Sequence, residues 1–303
     1  MRPACPPAYA RAVPQESELV ARLRAAGCVF AEDEAALLVE AAGDDAARLE
    51  RMAAARIAGA PLEQVLGWAE LWERRWIVAP GVFVPRRRSE LLVREALEAV
   101  RPERFVPGGT SGDSGRGLGG DRRAGAGRGR VVVVDLCCGC GALGGSVALD
   151  LVASGHDVEL HAADADPAAT ACARANLAAI PGAHVHDGDL DAPLPDALRG
   201  RADILLCNAP YVPSDAIALM PREARDHEPR LALDGGRDGL DILRRAITAA
   251  PGWLRPGGTL LFETGHDQAD AASAAAEAAG LVPRVVADDD LGATAVLARL
   301  PAR

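Results

Sequence analysis

Lysine is absent from this 303-residue chain, and all 33 of its basic residues are arginine. With 32 glycines, 21 prolines and abundant alanine, this reads as a GC-rich coding bias, which lowers the functional weight of any arginine cluster. Set against 43 acidic residues, the formal net charge is -10. That balance disfavours a protein that grips nucleic acid through general electrostatics and leaves only a local basic patch open. No apolar run approaches the roughly 20 residues of a membrane span. Residues 1–7 lack the apolar core of an export signal. The seven cysteines are odd in number; Cys137, Cys138 and Cys140 fall inside a glycine loop with no fourth ligand at a plausible spacing. That argues against a disulfide framework and a zinc site, so a reduced, metal-free, cytoplasmic protein is expected.

What is present is apolar substance: 49% hydrophobic residues over this length suffice for one large core and a second, smaller domain. Residues 1–14 are rich in Pro and Ala and are expected to fray. Between residues 15 and 65, Leu19, Val20, Leu23, Leu37, Leu38, Leu49, Met52 and Ile57 recur at helical spacing. Glycines at 27, 43 and 59 break them into about three short helices, a small recognition bundle. Residues 66–88 alternate as a linker hairpin through Leu71–Glu73, Trp76–Val78 and Gly81–Arg86. Three of the four tryptophans lie in residues 68–76, as in an apolar seam between domains. Ser89 is placed as the N-cap of the next helix. Residues 106–130, Gly-rich with scattered Arg and Asp, read as a flexible insertion, with a basic RNA-contacting arm as the rival.

From Val131 the pattern becomes α/β. Apolar strands at 131–134, 158–163, 183–186, 202–207 and 259–262 alternate with Ala-rich helices, which predicts a mainly parallel, doubly wound sheet. Pro256-Gly257-Gly258 is taken as the turn before the fifth strand. The last two strands, 281–286 and 294–298, are joined too closely for a helical crossover and are expected to form an antiparallel hairpin. Asp135, Asp164, Asp189, Asn208 and Glu263 fall at or just beyond carboxyl ends of strands, which face one edge of a parallel sheet. An acid about twenty residues after a glycine loop suits a ribose diol, so Asp164 is a ribose ligand. Asp189 or the backbone at Leu190 would meet a base, and the loop Cys137-Cys138-Gly139-Cys140-Gly141 would lie against the rest of the ligand. Gly139, Gly141 and Gly144 also fit G-x-G-x-x-G, so a nicotinamide cofactor is weighed. The acidic start at Asp135 suits a cationic amino-acid ligand better than a diphosphate. His184 and His186 share one strand face without a visible partner and are read as structural. Glu263 is read as a buttress of the pocket.

The fourth strand ends abruptly in Asn208-Ala209-Pro210-Tyr211, with one of only two tyrosines in the chain. This turn suits methyl transfer to a conjugated, weakly nucleophilic nitrogen. The Asn208 side-chain oxygen and the Ala209 carbonyl can hold an NH2 group and aim its nitrogen. Pro210 biases Ala209 towards an extended backbone, and Tyr211 offers a flat apolar face.

The tetrapeptide resembles the Asn-Pro-Pro-Tyr motif of amino-group methyltransferases that use S-adenosyl-L-methionine. The hairpin text through Ser89-Glu90-Leu91-Leu92-Val93 and the segment Glu228-Pro229-Arg230, Leu233–Gly236 and Asp238–Leu240 narrow the resemblance to release factor (protein-glutamine) methyltransferases. That resemblance implies a class I methyltransferase domain over residues 89–303, cofactor contacts from Asp135, the 137–141 loop, Asp164, Asp189, Leu190 and Asn208, and Asn208–Tyr211 as the catalytic turn. It implies a protein substrate, the Gly-Gly-Gln loop of a peptide-chain release factor, and no stable nucleic-acid binding; a monomer is expected. The chain departs from the pattern at Ala209, where the first proline sits, at Cys137, where a glycine is usual, and at Gly292–Ala295, which lacks an arginine. Segment 228–240 reads equally as packing or as a flap over the glutamine pocket. The alternatives are an amino-group methyltransferase acting on a base in RNA or DNA, and a catalytically inactive binding module.

Overall fold

The computed structural model describes residues 14–100 and 129–302. The N-terminal stretch expected to fray and the expected insertion at 106–130 lie outside the described residues, apart from Pro14, which already belongs to the first helix, and Gly129 and Arg130.

Four helices open the chain: α1 (Pro14–Ala25), α2 (Ala31–Ala42), α3 (Ala46–Ile57) and α4 (Leu62–Leu66). The glycines at 27, 43 and 59 do fall between them, and Leu19, Leu23, Leu38 and Met52 close a core of their own. The fourth helix is one more than the periodicity predicts. Pro61 fixes its entry and Gly67, left-handed at φ 84, ends it by bonding its N–H to Glu63, a stop that only a residue without Cβ makes cheaply. A short hairpin follows, β1 (Trp68–Leu71) and β2 (Arg74–Ile77), joined by a two-residue turn with Trp72 and Glu73 both at positive φ. The expected third limb, Gly81–Arg86, is irregular backbone rather than strand. Its alternation is real in that Val82 and Val84 are fully buried, yet no strand pairs with it.

The main body is built from α5 (Glu90–Val100), β3 (Val131–Leu136), α6 (Ala142–Ala153), β4 (Val158–Asp164), α7 (Pro167–Leu177), β5 (Ala183–Asp187), β6 (Ala202–Cys207), α8 (Arg222–His227), α9 (Asp241–Trp253), β7 (Leu254–Glu263), α10 (Ala269–Ala278), β8 (Val282–Asp288) and β9 (Ala293–Arg299). Its seven strands lie in the order β5-β4-β3-β6-β7-β9-β8. The first five are parallel, β9 runs antiparallel to β7, and β8 and β9 form the expected antiparallel pair. Strand β7 begins five residues before the predicted start. Pro256-Gly257-Gly258 is therefore no turn outside the sheet but a bulge within it, because Leu254 already pairs with Ala202 and the register shifts before Ile204. The order reverses between β3 and β6, the switch point at which open α/β sheets bind ligands.

One core lies on each face of the sheet. The hairpin belongs to the first of them. A Cβ on Gly145 of α6 would fall 2.5 Å from the Trp76 ring, Trp72 Nε1 donates to Asp150 at 2.7 Å, and Asn176 of α7 brackets Ile77 through both its backbone groups. Trp68 instead packs on the helical core, so the tryptophan seam joins the two cores as its composition implied. Burial of Trp76 at 3% exposure contributes on the order of 2 kcal/mol or more. On the β4–β5 edge, His184 and His186 do have a partner: His161 stacks on both and shares a 2.9 Å contact with His186.

Candidate active site

Asp135 is not beyond its strand but inside it. The backbone of Asp135 and Leu136 remains paired to both β4 and β6, so the carboxylate is pulled into the core and is fully buried. Oδ2 accepts the N–H of Gly144 in the first turn of α6 at 2.9 Å. Oδ1 has no hydrogen-bond partner among the described residues. Burial drives this carboxyl up to about 7 against the pull of the Gly144 N–H, with the charge of Asp164 adding to the rise. An orphaned buried carboxylate oxygen at the start of the loop is complementary to a cation. The same contact decides the dinucleotide alternative. The α6 N-terminus, which a diphosphate would need, already holds the Asp135 carboxylate.

The loop after β3 turns through left-handed backbone at Cys137 (φ 55), Gly139 (φ 54) and Gly141 (φ 78). At Cys137 this conformation costs on the order of 1 kcal/mol for a residue with a Cβ. The Cys137 thiol is raised above its ordinary range by its interaction with the Cys207 thiol and then by desolvation. Asp164, at the end of β4, ties the loop down: its two oxygens accept the N–H groups of Gly139 at 2.8 Å and Asp166 at 2.9 Å. Each oxygen keeps a further lone pair for a hydroxyl. Burial raises its carboxyl, and those backbone donors oppose the rise.

These strand ends enclose a cleft of ≈ 730 Å³ lined by Cys137, Gly139, Asp164, Asp189, Leu190, Asn208 and Pro210. A smaller neighbour of ≈ 380 Å³ is lined by Asp135, Cys138, Cys140 and Ser89, and Phe83, Cys137, Gly139 and Asn208 border both. Leu190 is left-handed at φ 49, and Asp189 pairs with Arg245 at 2.7 Å on the outer rim. Three residues of the sequence reading line neither space. Gly141 packs at the foot of α6, where a Cβ would lie 3.2 Å from Ala173 and Leu177. Ala209 is buried under the turn at 2% exposure. Tyr211 is half-buried and turns its hydroxyl to Glu263 at 2.6 Å. Among the described residues, no three His, Cys, Asp or Glu side chains come together as a metal site.

The turn after β6 is held from a distance. Glu263, at the end of β7 and 2% exposed, accepts from Arg88 Nε at 2.6 Å, Ser89 Oγ at 2.7 Å and the Tyr211 hydroxyl. Asn208 Nδ2 donates to Ser89 Oγ at 3.0 Å. Ser89 is thus not the N-cap expected of it. It sits in a 3-10 turn before α5, and its hydroxyl is engaged by Glu263 and Asn208 rather than by a helix N–H. Beneath the turn, Gly235 and Gly239 let backbone approach backbone: a Cβ at Gly235 would lie 2.7 Å from the Pro210 carbonyl, and one at Gly239 2.2 Å from the Tyr211 carbonyl. Segment 228–240 therefore divides. Pro229, Leu231 and Ala232 line the cleft, while Leu233, Gly235 and Gly236 brace the turn through backbone bonds to Val212 and Ser214.

Residues 127–223 match the family model for the Methyltransferase small domain. The chain is 33% identical over 276 residues to release factor glutamine methyltransferase of Bradyrhizobium diazoefficiens, covering 88% of this chain and 82% of that one. Its identity to the enzyme of the same name from Cereibacter sphaeroides is 36% over 261 residues, 85% of this chain and 81% of that one. The chain belongs to the release factor glutamine methyltransferase family. It is also 32% identical over 213 residues to the 4-amino-L-phenylalanine/4-methylamino-L-phenylalanine methyltransferase of Streptomyces pristinaespiralis, 70% of this chain and 64% of that protein.

Within that family frame, the residues that escaped sequence reading are Phe83, Arg88 and the Ser89 hydroxyl. Arg88 stands in a run of three arginines in a chain without lysine, where no single one stands out. Phe83 lay in what read as a strand.

Proposed function

We infer that this protein transfers a methyl group from S-adenosyl-L-methionine to the side-chain amide nitrogen of a glutamine in a peptide-chain release factor, in its Gly-Gly-Gln loop. The observation that supports this reading best is that Asn208 and Pro210 border the same cleft as Asp164 and Asp189. A donor held by the acids of β3 and β4 and an acceptor held at the turn after β6 would then meet.

The residues present suit the cofactor. The unpartnered Asp135 oxygen and the acidic lining match its positive charge, Asp164 retains acceptor capacity for the ribose hydroxyls, and Asp189 with Leu190 borders the outer part of the cleft. When bound, the cofactor supplies an activated methyl group. The chain's own contribution is positioning: Asn208 Oδ1 accepts an N–H of the substrate amide and sets the direction of its nitrogen. No strong base is needed, since an amide nitrogen releases its proton readily once alkylated. Tyr211 is unsuited to that role, because burial and then the Glu263 charge hold its phenol far above the ordinary range. Its part is to keep the turn in place.

The helical domain would read the partner protein, and the enzyme would act as a cytoplasmic monomer without stable nucleic-acid binding. Among the described residues no helix is long and apolar enough to cross a membrane. The test is incubation with methyl-labelled cofactor and purified release factors, followed by peptide mapping. Label on the glutamine of Gly-Gly-Gln is expected. Label on RNA, DNA or free 4-aminophenylalanine, with none on release factors, would overturn the assignment, and failure to bind cofactor in calorimetry would mark an inactive module.

A further inference from the structure

The orientation of the Asn208 amide is set by a chain of hydrogen bonds whose direction can be fixed by valence. Glu263 is buried and accepts three bonds, one of them from the Arg88 guanidinium. A carboxylate paired in this way offers acceptors only. The one proton of the Ser89 hydroxyl is therefore committed to Glu263 Oε2 at 2.7 Å. What Ser89 presents to Asn208 is a lone pair, and the group facing it at 3.0 Å must be the NH2. In the reverse arrangement Ser89 would turn a lone pair towards a buried carboxylate, leaving a polar contact unmade at a site of 2% exposure, a loss of the kind that buried networks avoid.

We propose that Ser89 is a positioning residue for methyl transfer: driven by Glu263, it holds the Asn208 NH2 and so presents Asn208 Oδ1 to the acceptor nitrogen. Without the serine the two ends of the amide become nearly equivalent, and the wrong one, a donor, faces the substrate NH2 for part of the time. Ser89 touches neither reactant in this scheme. The inference rests on the reading that Asn208 meets the acceptor amide, and it deepens that reading by naming what orients it.

The experiment compares wild type, Ser89→Ala, Ser89→Thr, Glu263→Gln, the Ser89→Ala/Glu263→Gln pair and Asn208→Ala. The readouts are kcat and KM on a purified release factor, cofactor affinity by calorimetry and the thermal midpoint. Ser89→Ala should lower kcat about 10- to 100-fold, the scale of a misdirected reacting group, with cofactor affinity within about twofold of wild type. Ser89→Thr, which keeps the hydroxyl, should recover most of the rate. Glu263→Gln lets Ser89 reverse, and combining it with Ser89→Ala should cost little beyond the worse single change, as for members of one network. The side-chain NH2 resonances of Asn208, identified by their loss in Asn208→Ala, should exchange faster with solvent in Ser89→Ala than in wild type.

Wild-type kcat in Ser89→Ala would overturn the proposal. So would a fall in kcat matched by equal losses of cofactor affinity and thermal midpoint, since that marks a merely structural residue. If Asn208→Ala is inactive while Ser89→Ala turns over normally, this inference alone fails. If Asn208→Ala transfers methyl at the wild-type rate, the reading of the turn fails and takes this inference with it.

Discussion

The two rims of the cleft are built in opposite ways. On the β3–β4 rim, carboxylates are held by backbone N–H groups no more than 25 residues away: Asp135 by Gly144, nine residues on, and Asp164 by Asp166, two residues on, and by Gly139, 25 residues back. On the β6 rim, side chains hold side chains across long stretches of chain: Asn208 and Ser89 are 119 residues apart, Ser89 and Glu263 174, and Tyr211 and Glu263 52. Backbone donors survive most substitutions, and here they fix two carboxylates on the rim proposed to hold the cofactor. Side-chain networks are specific and fail when one member is lost. The difference suggests a division of labour, in which the first rim sets affinity for the cofactor and the second sets the rate of transfer.

That division predicts mutants that separate cleanly. Asn208→Ala should lower kcat by about a thousandfold, in line with deletion of a preorganised polar group at a reacting atom, while cofactor affinity measured by calorimetry stays within about threefold. A parallel collapse of affinity would merge the two rims. Gly239→Ala strikes the second rim from below. Its backbone is left-handed at φ 78, and the new methyl would meet the Tyr211 carbonyl at 2.2 Å. Strain and displacement together should remove roughly 2–4 kcal/mol of stability, read as a lower denaturant midpoint, and should depress kcat more than cofactor binding. An active variant of wild-type stability would show that the turn is not pinned by this contact.

The first rim has a pH signature. The carboxyl of Asp135 is raised by burial from 3.8 to about 7, so the folded protein holds this proton more tightly than the unfolded chain does. Its contribution to stability is full below pH 3.8 and is lost as pH rises through about 7. Asp135→Asn should flatten that part of the stability profile and make the protein more stable than wild type at pH 8, by up to about 4 kcal/mol. The same change should weaken cofactor binding about tenfold, because the cation loses its counter-charge. Opposite signs in the two assays distinguish a binding carboxylate from a packing one. Weaker stability at pH 8 in the variant would contradict the burial argument.

The contrast between the rims also explains what was legible in the sequence. The sheet could be read because buried parallel strands are near-continuous apolar runs, and the run at 202–207 matches Ala202–Cys207 to the residue. The acids at strand ends could be read because topology gathers such ends on one edge. The Gly81–Arg86 segment misled because alternation records burial of Val82 and Val84, not hydrogen bonding to a neighbour. Pro256-Gly257-Gly258 misled because a bulge uses the residues of a turn. The network around Glu263 was invisible beyond Glu263 itself: nothing local marks Ser89 or Arg88 as partners of a residue some 175 positions away.

Cys137→Gly tests the boundary between the rims with the smallest expected effect. Cys137 lines both cavities and belongs to the first rim by sequence, yet its thiol is raised by interaction with Cys207 at the root of the second. Its left-handed backbone is imposed by neighbours on either side: Leu136 is paired to β4 and β6, and the N–H of Cys138 bonds the Ala163 carbonyl at 3.0 Å. Strain held by strand ends is borne in folding and leaves ligand affinity alone. Glycine would relieve on the order of 1 kcal/mol of it but would lose a similar amount to the greater freedom of the unfolded chain. The expected result is a stability within about 0.5 kcal/mol of wild type and a cofactor affinity within about twofold. Binding that tightens tenfold on Cys137→Gly would show instead that the cysteine strains the occupied loop, and that the first rim is less preorganised than its backbone donors imply.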